Sequence, residues 1–227
     1  MDYFHITESF QAAFPDARAG VLVMRDVINP PSHAGLDARK LELEEQIRAR
    51  FRGQDSSAVM EIPEIQTYAA YYRRFRKTYH VQLQLESVAF KGKPIASGSA
   101  LVEAMFMAEL KNLLLTAGHD LDALDLPLTL AVSRGTETYI TPNGQDQSLK
   151  ARDMFIADGR GIISSILYGP DRRTLFRPQT RSALFTVYAP AGITPPEIRA
   201  HLEDIQQNVQ LIAPRAVTEL LEVYSAS

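Results

Sequence analysis

The stretch Met154–Tyr188, MFIADGRGIISSILYGPDRRTLFRPQTRSALFTVY, decides the fold. Three short apolar or β-branched segments, Met154–Ala157, Ile162–Leu167 and Leu184–Tyr188, alternate with the turn dipeptides Asp158-Gly159 and Gly169-Pro170. Runs this short, bounded by turn residues, read as strands rather than helices. Asp158-Gly159-Arg160-Gly161 has the glycines of a phosphate loop, but a hairpin turn explains them more simply. Immediately upstream, Leu128–Val132 and Thr138–Thr141 repeat the pattern, with Arg134-Gly135 and Pro142-Asn143-Gly144 as breaks.

Downstream, Thr194-Pro195-Pro196-Glu197 combines a reciprocal capping pattern with proline at the first helical position. Ile198, Leu202, Ile205, Val209 and Ile212 then form one apolar stripe, which places His201 on the polar, solvated face. Pro214 divides this helix from an expected short terminal helix ending near Tyr224. Toward the amino terminus the pattern is helical. Val102, Met105, Phe106 and Leu113 share a face of a helix expected over Ser99–Ala117, with Gly118 as the residue that stops it. Ser97-Gly98-Ser99 is its start and not a nucleophile elbow. A short helix is expected around Leu85–Phe90, before the Lys91-Gly92-Lys93-Pro94 break, and another opens at Pro63 with Ile65, Tyr68, Ala69 and Tyr72 inward. Leu36–Gly53 reads as an amphipathic helix and Val21–Met24 as a buried strand. Helices, then strands, then a helix make an α+β protein: a mixed or antiparallel sheet flanked by helices. No linker or repeat divides the chain, so residues 1–227 are expected to form one domain.

Composition narrows the chemistry. Hydrophobic residues at 45 % and charged residues at 22 % exclude wholesale disorder in these 227 residues. A net charge of −3 argues against coating nucleic acid by bulk charge, so a polyanion site has to be a local patch. With no cysteine there is no disulfide, thiolate metal site or cysteine nucleophile. His5, His33, His80, His119 and His201 are scattered without metal-ligand spacing, and no metal or cofactor is expected. Apolar runs fall far short of the ~20 residues that cross a bilayer. Met1-Asp2-Tyr3-Phe4-His5 lacks a signal-peptide start, so a cytoplasmic location is expected.

Local charge is more telling. Residues 71–93 carry six basic side chains, Arg73, Arg74, Arg76, Lys77, Lys91 and Lys93, against Glu86, with the first four among Tyr71, Tyr72, Phe75, Tyr79 and His80. Basic residues among aromatics can hold phosphates while stacking on bases; equally, the tyrosines can be the core face of a helix and the arginines its wet face. A second basic segment spans 147–182, while 101–126 is acidic. Asp171-Arg172-Arg173-Thr174 and Thr180-Arg181 sit in the loop before the last strand, where arginine can grip a carboxylate or phosphate bidentately, or pair with Asp171 to shape the loop.

These motifs, in order, resemble the B3/B4 (tRNA-binding) domain of the phenylalanyl-tRNA synthetase β subunit, and the free-standing bacterial proteins made of that domain alone. The resemblance rests on Tyr72-Arg73-Arg74-Phe75, Leu85-Glu86-Ser87-Val88, Leu101-Val102-Glu103, Gly118–Leu124, Asp171–Thr174 and Thr180–Leu184, and covers roughly residues 62–212. Residues 1–61 are then the strand and helix that begin the same domain. It implies an α+β domain whose two parts enclose a pocket. The implied partner is tRNA or the 3′ end of an aminoacyl-tRNA, with hydrolysis of a mischarged ester in trans as the implied reaction and no aminoacylation. On this reading Glu86, Glu103, His119 and Asp120 orient water or the substrate amine. Arg73, Arg74, Arg76 and Lys77 track the RNA backbone, and Asp171, Arg172, Arg173, Thr174, Thr180 and Arg181 hold phosphate or carboxylate. Phe106 stands where the family has asparagine, and Thr186 where the synthetase has glutamate. The alternative expectation is a non-catalytic binding module for an amino-acid-like small molecule, favoured by the acidic 101–126 segment.

Overall fold

The chain begins with β1 (Phe4–Ile6), α1 (Glu8–Ala13), β2 (Arg18–Arg25), α2 (Ala34–Arg50), α3 (Pro63–Arg73), α4 (His80–Lys91), α5 (Ala100–Asn112) and β3 (Leu115–Asp120). There follow β4 (Leu128–Val132), β5 (Thr138–Ile140), β6 (Asp146–Ser148), β7 (Met154–Asp158), β8 (Gly161–Ser165), β9 (Gly169–Pro170), β10 (Ser182–Ala189), α6 (Pro195–Ile212) and β11 (Val217–Ser225). This computed structural model describes residues 3–225; Met1 and Asp2, part of the amino-terminal stretch read above, lie outside the described residues, as do Ala226 and Ser227.

Two sheets organise these elements. One is antiparallel throughout, in the order β11-β2-β10-β3; the other runs β1-β4-β7-β8-β9, with only β1 parallel to its neighbour. The small β5–β6 hairpin stands apart with its own apolar cluster of Tyr139, Leu149, Phe155 and Ile162. α6 lies across β2, and Gly20 is what lets it approach: a Cβ there would meet Ile198 at 2.5 Å. The helix starts as its sequence requires, with Glu197 accepting a hydrogen bond from the Thr194 amide at 2.6 Å.

The tyrosines of the third and fourth helices are core, not a stacking surface. Tyr68, Tyr71, Tyr72 and Tyr79 are all buried, and Tyr68 stacks on Tyr79 with centroids 4.4 Å apart. Their hydroxyls end on main-chain groups of both sheets. Tyr68 donates to Tyr188 O (2.5 Å) on β10 and accepts from Leu115 N (3.1 Å) on β3. Tyr71 accepts from Met154 N (2.8 Å) on β7, and Tyr72 donates to Ile166 O just past β8. The sheets also meet directly, where the Tyr188 and Ser164 hydroxyls lie 2.7 Å apart.

Four expectations are corrected. The helix expected to reach Ala117 stops at Asn112, because Leu113 turns left-handed (φ 60°), and Gly118 belongs to β3. The run Leu113-Leu114-Leu115 is buried on every side, so its periodicity carries no mark of the change. The expected terminal helix is instead strand β11, paired along β2; a register shift between Thr218 and Leu220, with Glu219 bulged out, disguises the two-residue alternation. His201 is fully buried rather than solvated, because α5 packs beside α6 and covers that flank. The helix expected around Leu85–Phe90 starts earlier, at His80.

Replacing Tyr68 with phenylalanine removes two buried hydrogen bonds at once, to the Tyr188 carbonyl and from the Leu115 amide. The variant is expected to lose about 2–3 kcal/mol of unfolding free energy in urea titrations, against about 1 kcal/mol for Tyr79→Phe, whose hydroxyl serves only Leu113 O.

Candidate functional site

Most of the residues around the 171–181 loop do come together and bond one another, while His119 Nε2 is buried without a hydrogen-bond partner. Arg173 forks onto Asp158 with two bonds of 2.9 Å and donates a third to Ala123 O. Asp171 accepts from the Thr174 amide (3.0 Å) and hydroxyl. Thr174 Oγ1 also meets His119 Nδ1 at 2.7 Å, and its carbonyl takes the Asp120 amide at 2.7 Å. Asp120 in turn accepts from the Thr180 hydroxyl at 2.8 Å. Burial, aided by the Arg173 charge, pushes the His119 pKa down to about 3, so the ring is neutral. This is a clasp that fastens the loop to the outer side of β3. Arg181 bonds only carbonyls of its own turn, Pro178 and Thr180, while Arg172 is exposed beside Arg160 and Arg177.

The other expected positions lie apart from the clasp. Glu103 is buried in an ion pair with Lys40 (2.9 Å), and Glu86 accepts from Gln82 on its own helix (2.9 Å). Arg73 bonds Ala69 O, and Lys77 lies 4.4 Å from the centre of the Tyr168 ring. Arg74 and Arg76 join two residues from the second basic segment, Lys150 and Arg152, around a groove whose walls hold no carboxylate among the described residues. Lys150 Nζ reaches Phe75 O at 3.1 Å and closes one turn on the other. Arg76 and Arg152 both hold positive φ (57° and 69°), an uncommon backbone for side chains of this size. All four cations are exposed.

A partly open cavity of about 370 Å³ lies between α5, the edge strand β3 and the β8–β9 turn. Met105, Phe106 and Phe176 form apolar walls, and Glu109, His80 and Gly118 bring polar groups. In an antiparallel ladder alternate residues turn away from the neighbouring strand. On β3 these are Thr116, Gly118 and Asp120: the Thr116 amide donates to Glu109 (2.8 Å) and the Asp120 amide to Thr174 O (2.7 Å). Gly118, between them, turns its edge amide to the cavity. A side chain there is barred by Phe176, whose ring lies 2.5 Å from where a Cβ would stand. His80 is held neutral by burial and by Lys77, with its pKa pushed down to about 4. Because Tyr72 gives its hydroxyl hydrogen to Ile166 O, the 3.3 Å contact to His80 Nδ1 needs a proton on that nitrogen. His80 Nε2 is thereby an acceptor.

Glu109 is the residue that sequence reasoning passed over. It sits three and four residues after Phe106 and Met105 on the apolar stripe of α5, and an acid inside such a stripe was the available signal. Burial raises its pKa from 4.5 to about 8, opposed only by the Thr116 amide bond, and no cation acts on it.

No protein-family model matches the chain, and no curated protein matches it. Seventeen solved chains do. Among them is an N-terminal fragment of the phenylalanyl-tRNA synthetase β subunit from Pyrococcus horikoshii, at 9 % identity and a TM-score of 0.48. That alignment covers 96 % of this chain and 54 % of the fragment, so the chain spans about half the fragment's length. The likeness is remote and transfers no residue role.

The protonation of Glu109 has a measurable consequence. An acid with a higher pKa folded than unfolded contributes its stability fully below about 4.5 and loses it as pH climbs toward 8. Between pH 5 and pH 8, Glu109→Gln is therefore expected to gain roughly 2 kcal/mol or more relative to the parent chain in urea titrations.

Proposed function

We propose that this protein binds a small amino-acid-like molecule, whose apolar or aromatic group enters the cavity beside Phe106 and Phe176. One observation carries the reading: a partly open cavity of about 370 Å³ with apolar walls and a few polar groups, set at the junction of two sheets. The reading is of binding rather than turnover. Glu86, Glu103, His119 and Asp120, the groups expected to serve hydrolysis, are each engaged with protein partners away from the cavity walls. Thermal denaturation with a panel of aromatic and aliphatic amino acids, their amides and their esters tests it, since a ligand of the native state raises the melting temperature. Val102→Trp, which fills the cavity from its half-buried wall, is expected to melt normally and to lose the shift. A panel without any shift overturns the reading.

A second reading, RNA binding, is favoured by the groove of Arg74, Arg76, Lys150 and Arg152. Four exposed cations without a carboxylate among them suit a phosphate backbone. The buried tyrosines leave base stacking no part in it. Labelled tRNA is expected to bind at 50 mM salt, to weaken at least tenfold by 200 mM, and to be lost in the Arg76→Ala/Arg152→Ala variant. Binding that is absent at low salt, or indifferent to these two arginines, ends this reading.

A further inference from the structure

We propose that the cavity selects an ammonium group on an apolar body whose carboxyl is absent or blocked as an ester or amide, and that Glu109 is the residue that reads the charge. The inference rests on the cavity being the ligand site, and goes beyond that reading by fixing the ligand's charge.

The argument begins with what the walls lack. Among the residues lining the cavity there is one carboxyl group and no lysine or arginine. Lys77, the cation that acts on His80, is spent over the Tyr168 ring. A free carboxylate brought here would meet no counter-charge and would face Glu109 in a poorly solvated space. Glu109 is the one carboxyl group on these walls, beside hydroxyls and His80 Nε2. Protonated it is a donor, but once ionised it needs a counter-charge, and an ammonium brings three N–H groups together with that positive charge. The edge amide of Gly118 is a main-chain donor on this wall. It can satisfy an ester or amide carbonyl, but a single neutral N–H leaves a carboxylate's charge uncompensated.

Burial among uncharged groups keeps Glu109 protonated at neutral pH. The titratable groups packed about it, Tyr68, Tyr72 and Tyr79, are neutral through burial, as are His80 and, beyond Thr116, His201. When an ammonium arrives, Glu109 gives its proton to solvent and the pair forms as carboxylate and ammonium. The balance is simple: protonated Glu109 plus a cationic ligand yield an ion pair and one released proton.

Isothermal titration calorimetry at pH 7, run in buffers of different ionisation enthalpy, tests this with four compounds that share a phenyl ring. Phenylalaninamide and phenethylamine carry the ammonium without a carboxylate; phenylalanine carries both, and hydrocinnamamide neither. The two carboxylate-free amines are expected to bind at least tenfold tighter than phenylalanine or hydrocinnamamide, and phenethylamine, which is fully cationic at pH 7, is expected to release close to one proton per molecule bound. In Glu109→Gln their affinity is expected to fall to that of hydrocinnamamide and the proton release to vanish. Should phenylalanine or hydrocinnamamide match phenylalaninamide on the parent chain, the charge selection is wrong while the cavity remains a ligand site. This comparison needs no variant and survives a Glu109→Gln chain that fails to fold. Equal affinity in a folded Glu109→Gln chain overturns the role of Glu109. No binding of any of the four removes the cavity reading and this inference together.

Discussion

The architecture depends on a handful of tyrosine hydroxyls. α3 and the residues after it lie against both sheets, and a helix so placed buries strand ends whose carbonyls and amides would otherwise lack partners. Tyr68, Tyr71, Tyr72 and Tyr79 supply the large apolar surface and the polar tips together, each reaching a different backbone segment. Leucines in the same places would pack but leave those groups unpaired. The arrangement also explains why so aromatic a segment is no stacking surface: the rings point inward, while Arg73, Arg74, Arg76 and Thr78 reach water.

The cavity follows from the same constraint. β3 is the end of its sheet, and its outward side has to be covered. The protein covers it in two ways. Toward the carboxyl end of the strand, the 171–181 loop is clasped on through Thr174, Asp171 and Asp120; toward the amino end, the Glu109 carboxyl takes the Thr116 amide. Gly118 falls between the two covers, and the cavity opens there. Glu109 is thus fixed by the strand it protects.

Much of the fold was legible because its signals are local. The capping residues and the even stripe from Ile198 to Ile212 define α6 without help from elsewhere, and Asp158-Gly159 marks the β7–β8 hairpin for the same reason. What was not legible depends on neighbours. Leu115–Asp120 becomes a strand because Tyr188 and the rest of β10 lie beside it, and nothing within the trileucine distinguishes a buried helix end from a buried strand. The candidate site divides likewise. The motif residues of 118–124 and 171–181 do converge, but their convergence makes a clasp; Arg74 and Arg76 meet Lys150 and Arg152 only through the chain's return path. Glu109 was visible as an acid in an apolar stripe, yet what it faces could be learned only from the packing of β3.

The bulge at Glu219 interrupts an open sheet edge. β11 is the other end of that sheet, nine residues long, and a regular strand there would offer a template for edge-to-edge growth. At its one irregular point the chain carries a carboxylate, tied to Arg25 and to Tyr3 just ahead of β1 (2.6 Å), so the bulge is pinned by both sheets. An approaching strand would find its register interrupted at that point.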